Sequence, residues 1–305
     1  MTVLPTGEQY RLTSAGAEAV VVQVGGGLRA YRDGGRDLVD GFGEREMAGN
    51  ARGHVLAPWP NRLDGGRYTW DGAEHVTPLS EAETGNAIHG LVRFAAWQLV
   101  DRSSDAVTLE HLLHPQPGYP FTLLLRIRYE LSASGLRVET TATNCGDVPL
   151  PYGEGHHPYL AAGAGLHVDD CTLTAPGATR LETDQRALPV GAVPVAGTPY
   201  DLRDGRVIGD LLIDHCFTDL ARDDDGLARV HLAGPDGRGA TVWMDGAYEY
   251  LQLFTGDVVP EPRRRRGLAV EPMTCPPNAL ASGEGVRRLE PGESTTAVWG
   301  IAPLG

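Results

Sequence analysis

Apolar and polar residues alternate along much of this chain. In F-T-L-L-L-R-I-R-Y-E-L (121–131), Leu125, Ile127, Tyr129 and Leu131 fall on one face, and Arg126, Arg128 and Glu130 on the other. After the turn S-A-S-G, the stretch L-R-V-E-T-T-A-T-N alternates again: Leu136, Val138 and Thr140 point one way, and Arg137, Glu139 and Thr141 the other. A period of two with one wet face predicts an antiparallel hairpin. Similar strands are predicted over 19–24, 106–113, 229–233, 240–244, 248–254 and 294–301. Turn chemistry punctuates them: D-G-G-R at 33–36 and 64–67, W-D-G at 70–72, P-D-G-R at 235–238 and M-D-G at 244–246.

No window of a dozen residues carries a 3.6-residue stripe. The pattern allows at most a short helical turn near the end of 202–212. No fixed-period repeat and no linker-like change of composition appear, so 1–305 is expected to form a single domain. The strands are too many for one flat sheet, and the expectation is all-β: two packed sheets or a large twisted antiparallel sandwich. Forty glycines and 22 prolines, spread along 305 residues, suit such a turn-rich chain.

Charge and cysteine content narrow the function classes. A net charge of −14 gains nothing from counterion release, so no nucleic-acid partner is expected. The N-terminus has no basic, then apolar, leader pattern, and no run of about 20 apolar residues occurs, so neither a signal peptide nor a membrane span is expected. Four cysteines without Cys-x-x-Cys argue against a structural zinc site and suit a cytoplasmic protein with reduced thiols.

Four segments break the strand pattern. A-P-W-P-N-R-L-D-G-G-R (57–67) brings Asn61 and Arg62 to a turn, where the arginine is either solvated or turned to a ligand. N-A-I-H-G-L-V-R (86–93) sets His89 among apolar residues, as a satisfied core histidine or a site residue. P-Y-G-E-G-H-H-P-Y-L (151–160) reads as a shaped loop and not as a central strand, with His156 and His157 pointing opposite ways. L-A-V-E-P-M-T-C-P-P-N-A-L (268–280) ends an apolar run on Glu271, and a carboxylate buried there needs partners or a task. Asp214, after the apolar 211–213, is a strand-end cap or an acceptor for a polar ligand. R-R-R-R (263–266) reads as a solvated loop tip. The histidines lack standard metal spacing, so no metal is expected.

Taken together, 58–72, 86–93, G-H-H-P-Y-L (155–160), I-D-H-C-F (213–217) and 268–280 resemble the aldose 1-epimerase (galactose mutarotase-like) family, in its order and over most of the chain. The resemblance implies a β-supersandwich, no cofactor, and a small-molecule sugar whose anomers interconvert by ring opening and closure. Residue by residue it implies Glu271 as general base, His157 as general acid and His89 as a second active-site histidine. Arg62 and Asp214 would contact sugar hydroxyls, with Asn61 supporting Arg62, and His156 would have no catalytic role. Ordinary pKa values near 4 and 6.5 would leave the carboxylate ionised and the imidazole partly protonated near neutral pH. The family also holds hexose-6-phosphate mutarotases, for which Arg93 and 263–266 are candidate cations, and non-catalytic sugar binders. A glycoside hydrolase using Asp214 with Glu271 would leave the histidines unexplained. A monomer or homodimer is expected.

Overall fold

The computed structural model describes residues 3–163 and 165–305. The alternating hairpin is its centre. Strand Leu123–Ser132 buries Leu125, Ile127, Tyr129 and Leu131 and leaves Arg126 exposed, and it pairs in full antiparallel register with Gly135–Asn144. These two are the third and fourth strands of a nine-stranded sheet. In order, its members are Gln98–Arg102, Ala106–Leu113, Leu123–Ser132, Gly135–Asn144, Ser294–Leu304, Gly239–Met244, Ala228–Ala233, Thr172–Thr174 and Arg206–Val207.

A second large sheet runs Pro189–Pro194, Gly177–Thr183, Asp214–Leu220, Tyr250–Phe254, Leu268–Met273, Gly155–His156 and Val55–Leu56, with Tyr159–Leu160 also on Leu268–Met273. A four-stranded meander (Gln9–Ser14, Ala17–Val22, Leu28–Asp33, Arg36–Asp37) packs beside the central hairpin. One buried cluster draws Leu109, Ile127, Val242 and Trp299 from the first sheet and Phe217, Leu251, Leu253 and Val270 from the second. The fold is the large antiparallel β-sandwich that the alternation predicts. Among the described residues no helix is long and apolar enough to cross a membrane, and the longest is Ala279–Ser282.

In 202–212, Arg206–Val207 adds an edge strand on Thr172–Leu173, and beyond it a single turn closes from the Leu211 N–H to the Ile208 carbonyl. Two expectations are corrected. The 151–160 segment is not merely a loop. Gly155–His156 sits inside the second sheet, between Leu268–Met273 and Val55–Leu56. Pro158 lacks an N–H, but its carbonyl still accepts from Val270, so the edge-only rule for proline does not decide the segment. The arginine run is not a solvated tip either. Arg265 is buried, paired with Asp169 and Asp257, and donates to the Gly209 carbonyl; Arg263 pairs with Asp40 and Glu46, and Arg264 alone is exposed.

Candidate active site

All six residues of Leu268–Met273 are buried because both faces of the strand are covered. Leu268 and Val270 enter the main core, and Glu271 and Met273 lie on the opposite face. On that face Glu271 stands directly opposite Gln252, and Asp214 opposite Phe254 one strand further. Gln252 Nε2 donates to Asp214 Oδ1 at 2.7 Å. Asp214, an open choice between cap and ligand acceptor, thus reaches the same surface as Glu271.

His157 comes to this surface from the step between Gly155–His156 and Tyr159–Leu160. Its backbone is held at both ends, its N–H donating to the His54 carbonyl (3.1 Å) and its carbonyl accepting from Gly53 (2.8 Å). Its ring stacks on Tyr159 at 5.0 Å, and the Arg52 guanidinium lies over the same tyrosine. His157 Nε2 is 3.4 Å from Glu271 Oε1, while Glu271 Oε2 and His157 Nδ1, both buried, have no partner among the described residues. His156 points the other way, 3.2 Å from Thr140 Oγ1 and tilted over Trp299.

The third wall is a pair of left-handed residues, Asn61 (φ 54°) and His89 (φ 62°). The His89 N–H donates to the Asn61 carbonyl at 2.8 Å, and the Asn61 N–H donates to His89 Nδ1 at 3.1 Å. Asn61 Oδ1 accepts from the Arg62 N–H, a local bond that suits asparagine to this backbone. Gly90 follows at φ 66°, and a Cβ there would collide with the Ala57 carbonyl, so only glycine lets the two loops meet. Arg62 reaches in from Arg62–Asp64 and is held by Glu81 through two bonds of 2.8 Å, from Nε and Nη2.

These residues enclose a cavity of about 220 Å³, lined by all six sequence-derived candidates (Asn61, Arg62, His89, His157, Asp214, Glu271). Drug-sized pockets run ~300–1,000 Å³, so this one is scaled to a small polar molecule. A larger groove, about 630 Å³, lies at Asp40, Phe42 and Arg263, where Arg263 is already paired with Asp40 and Glu46. Sequence reasoning missed four polar residues of the wall. Gln252 carried a signal, a polar residue in the phase of Tyr250 and Phe254; Tyr159 stood inside a quoted motif without a role; Asn50 and Glu81 carried none. Arg93, proposed only as a phosphate contact, is on the wall, whereas the 263–266 run is not.

Burial governs the electrostatics. It raises the Glu271 pKa well above the carboxylate range; the Asp214 charge adds to the rise and Arg62 offsets it. It pushes His157 down to about 3 and holds His89 well below an ordinary histidine. The expectation of an ionised carboxylate beside a partly protonated imidazole, drawn from ordinary pKa values, is therefore corrected: desolvation favours the uncharged pair. At 3.4 Å the two groups are close enough for the charge of one to act on the other.

His89, His157 and Glu271 place ligand-type atoms within 4.8 Å of one another, the donor set of a two-histidine, one-carboxylate metal site. The Asn61 N–H on Nδ1 opposes that use. With Nδ1 accepting, the neutral ring carries its proton on Nε2 and turns an N–H, not a lone pair, to the cavity. Metal-binding histidines have the reverse arrangement, the second nitrogen donating outward.

The comparisons agree with this fold. The family description for aldose 1-epimerase matches residues 8–301. The uncharacterized protein YihR of Escherichia coli K12 is 34% identical over 289 residues, covering 94% of this chain and 91% of that protein. The galactose mutarotase of Rattus norvegicus is 27% identical over 236 residues, 72% of this chain and 68% of that one. Among solved structures, an aldose epimerase homologue from C. elegans superposes with a TM-score of 0.85 at 17% identity, over 98% and 99% of the two chains. With a match across nearly its whole length, the chain belongs to the aldose 1-epimerase family.

Proposed function

We propose that the protein interconverts the α and β anomers of a free hexose. The observation that carries this reading is the buried Glu271 carboxyl, with one oxygen unpartnered and the other 3.4 Å from His157, on the wall of a monosaccharide-sized cavity. A buried acceptor without a partner is costly unless a ligand supplies the donor, and a C1 hydroxyl is such a donor. Glu271 removes the C1 hydroxyl proton as His157 protonates the ring oxygen, and the C1–O5 bond breaks to give the aldehyde. Rotation about C1–C2 presents the other face; the O5 hydroxyl then adds to C1, returning its proton to His157 while Glu271 reprotonates O1.

The electrostatics favour this sequence. Opening the ring converts a carboxylate and an imidazolium into an acid and a neutral imidazole, the state that burial prefers. The buried pair thereby pulls the closed sugar towards the open form, and each turnover returns both protons. His89 supplies a fixed Nε2–H donor to sugar oxygens, and Arg62 and Asp214 hold hydroxyls. Positioned acid–base groups of this kind contribute ~10²–10⁴-fold each.

The test is Glu271→Gln, followed by polarimetry and anomeric exchange NMR on freshly dissolved α-D-glucose and α-D-galactose. The amide keeps the shape and cannot take the proton, so exchange falls to background while sugar binding persists. Exchange at the wild-type rate would remove Glu271 as the proton acceptor. A second reading, a hexose 6-phosphate, is supported by Arg93, a half-buried guanidinium on the cavity wall whose only bond to the protein among the described residues is to the Ile88 carbonyl. Arg93→Ala would then raise KM for the phosphosugar and leave that for the free hexose unchanged.

A further inference from the structure

Arg62 does not stand alone. Its Nε and Nη2 are spent on the two Glu81 oxygens, which leaves Nη1 for the cavity. Thr84 Oγ1 also bonds Glu81 Oε2, so neither Glu81 oxygen is left without a partner. Behind Thr84 the chain of bonds continues: Asn86 Nδ2 donates to Thr84 Oγ1 (3.0 Å), and Arg186 Nη2 donates to Asn86 Oδ1 (2.7 Å). Arg186 Nε holds the Thr84 carbonyl at 2.9 Å, and Nη1 holds Asp64 Oδ1 at 2.6 Å.

Asp64 lies on the same short strand as Arg62, and Arg186 sits on the turn between Gly177–Thr183 and Pro189–Pro194. One arginine, from the edge of the sheet that carries Glu271 and Asp214, thus clamps both the strand bearing Arg62 and the loop bearing Glu81.

Resting on the sugar-site reading above, we propose that Glu81 and Arg186 are positioning residues: Arg186 fixes Glu81, and Glu81 both aims the Arg62 guanidinium at the sugar and balances its charge. The charge balance matters because Arg62 lies within electrostatic reach of Asp214 and Glu271 as well as Glu81. The other charged or titratable groups facing this corner are His89, His157 and Tyr159 across the cavity and Arg93 beside Glu81. With Glu81 neutral, the full Arg62 charge acts on Glu271 and favours its ionised form. A fork held at two nitrogens is pre-aimed, so loosening it costs ligand affinity before it costs chemistry.

The experiment compares wild type with Glu81→Gln, Glu81→Asp, Arg186→Met and the double variant Glu81→Gln/Arg186→Met. Thermal unfolding confirms that each folds, and anomeric exchange is then measured across pH. Glu81→Gln and Arg186→Met are expected to raise KM on the order of 10–100-fold, the scale of a displaced ligand contact, with a smaller loss in kcat. The acid limb of the rate moves to lower pH in Glu81→Gln, stays in Arg186→Met, and returns in Glu81→Asp, which restores the charge. The double variant is no worse than Glu81→Gln alone, because both act through Arg62.

Wild-type KM and an unmoved acid limb in Glu81→Gln would overturn the proposal, as would additive losses in the double variant. If the wild type itself shows no exchange, the enzymatic reading fails separately. The same variants in titration calorimetry with glucose and galactose then decide the positioning role, with unchanged affinity overturning it.

Discussion

Glu154 offers a test of how far burial controls this protein, away from the cavity. The side chain is 1% exposed; Tyr152 donates to Oε2 at 2.7 Å and Tyr248 to Oε1 at 2.9 Å. Burial lifts its pKa from 4.5 to about 7, the Asp245 charge adds to the rise, and the two phenol bonds hold it back. At ~1.36 kcal/mol per pH unit, that rise corresponds to about 3 kcal/mol of pH-dependent stability. The direction is opposite to that of a salt-bridged carboxylate. Below pH 4.5 both folded and unfolded chains hold the proton and stability is full. Between 4.5 and about 7 only the folded chain holds it, so stability falls as pH rises, and above 7 the loss is complete. Glu154→Gln has no proton to lose. In urea titrations from pH 4.5 to 8, the unfolding free energy of wild type minus that of Glu154→Gln should fall by about 3 kcal/mol and then level off. The buried histidines His54, His156 and His157, each pushed down to about 3, give the reverse slope, but both proteins carry them and they cancel in the difference. A difference that is flat, or that rises with pH, refutes the reasoning.

The adjacent histidines should separate cleanly. His157→Ala loses anomer exchange with little change in stability, whereas His156→Ala, which empties a ring packed on Trp299, costs about 2–4 kcal/mol and leaves the rate of the folded fraction near wild type. Equal rate losses, by exchange NMR, would contradict the two directions of the side chains. Gly90→Ala forces a Cβ into the Ala57 carbonyl at a left-handed φ; it should lower stability by more than about 1–3 kcal/mol in thermal unfolding and exchange activity with it, since His89 hangs on that turn. Exchange should survive dialysis against EDTA, because His89 Nε2 carries a proton; a chelator-sensitive rate restored by a divalent ion would reverse the tautomer.

The parts of the fold that were legible are those with one wet face. Leu123–Ser132 and Gly135–Asn144 alternate because water lies on one side and the core on the other, and that asymmetry is written residue by residue. The second sheet is covered on both sides around the cavity, so Leu268–Met273 shows an apolar run interrupted by one carboxylate instead of an alternation, and Gly155–His156 is too short for any period. The same double cover made Glu271 conspicuous, since a charge in such a run needs a reason. It also hid Glu81, which in S-E-A-E-T-G looks like any acidic turn until Arg62 is seen against it.

Protonation was the least legible property, because it belongs to no single residue. Glu271 and His157 lie 114 positions apart, and neither one's sequence neighbourhood says that both lose water together. Separately, each would be a poor ion in this interior. Set 3.4 Å apart, they stabilise each other's charge when the proton sits on His157, and neither is charged when it sits on Glu271. In the proposed reaction, the hemiacetal opens and closes across the free-energy gap between those two forms. A single neutral donor fixed by Asn61, and an arginine whose charge Glu81 balances, complete the wall without adding a further proton to the site.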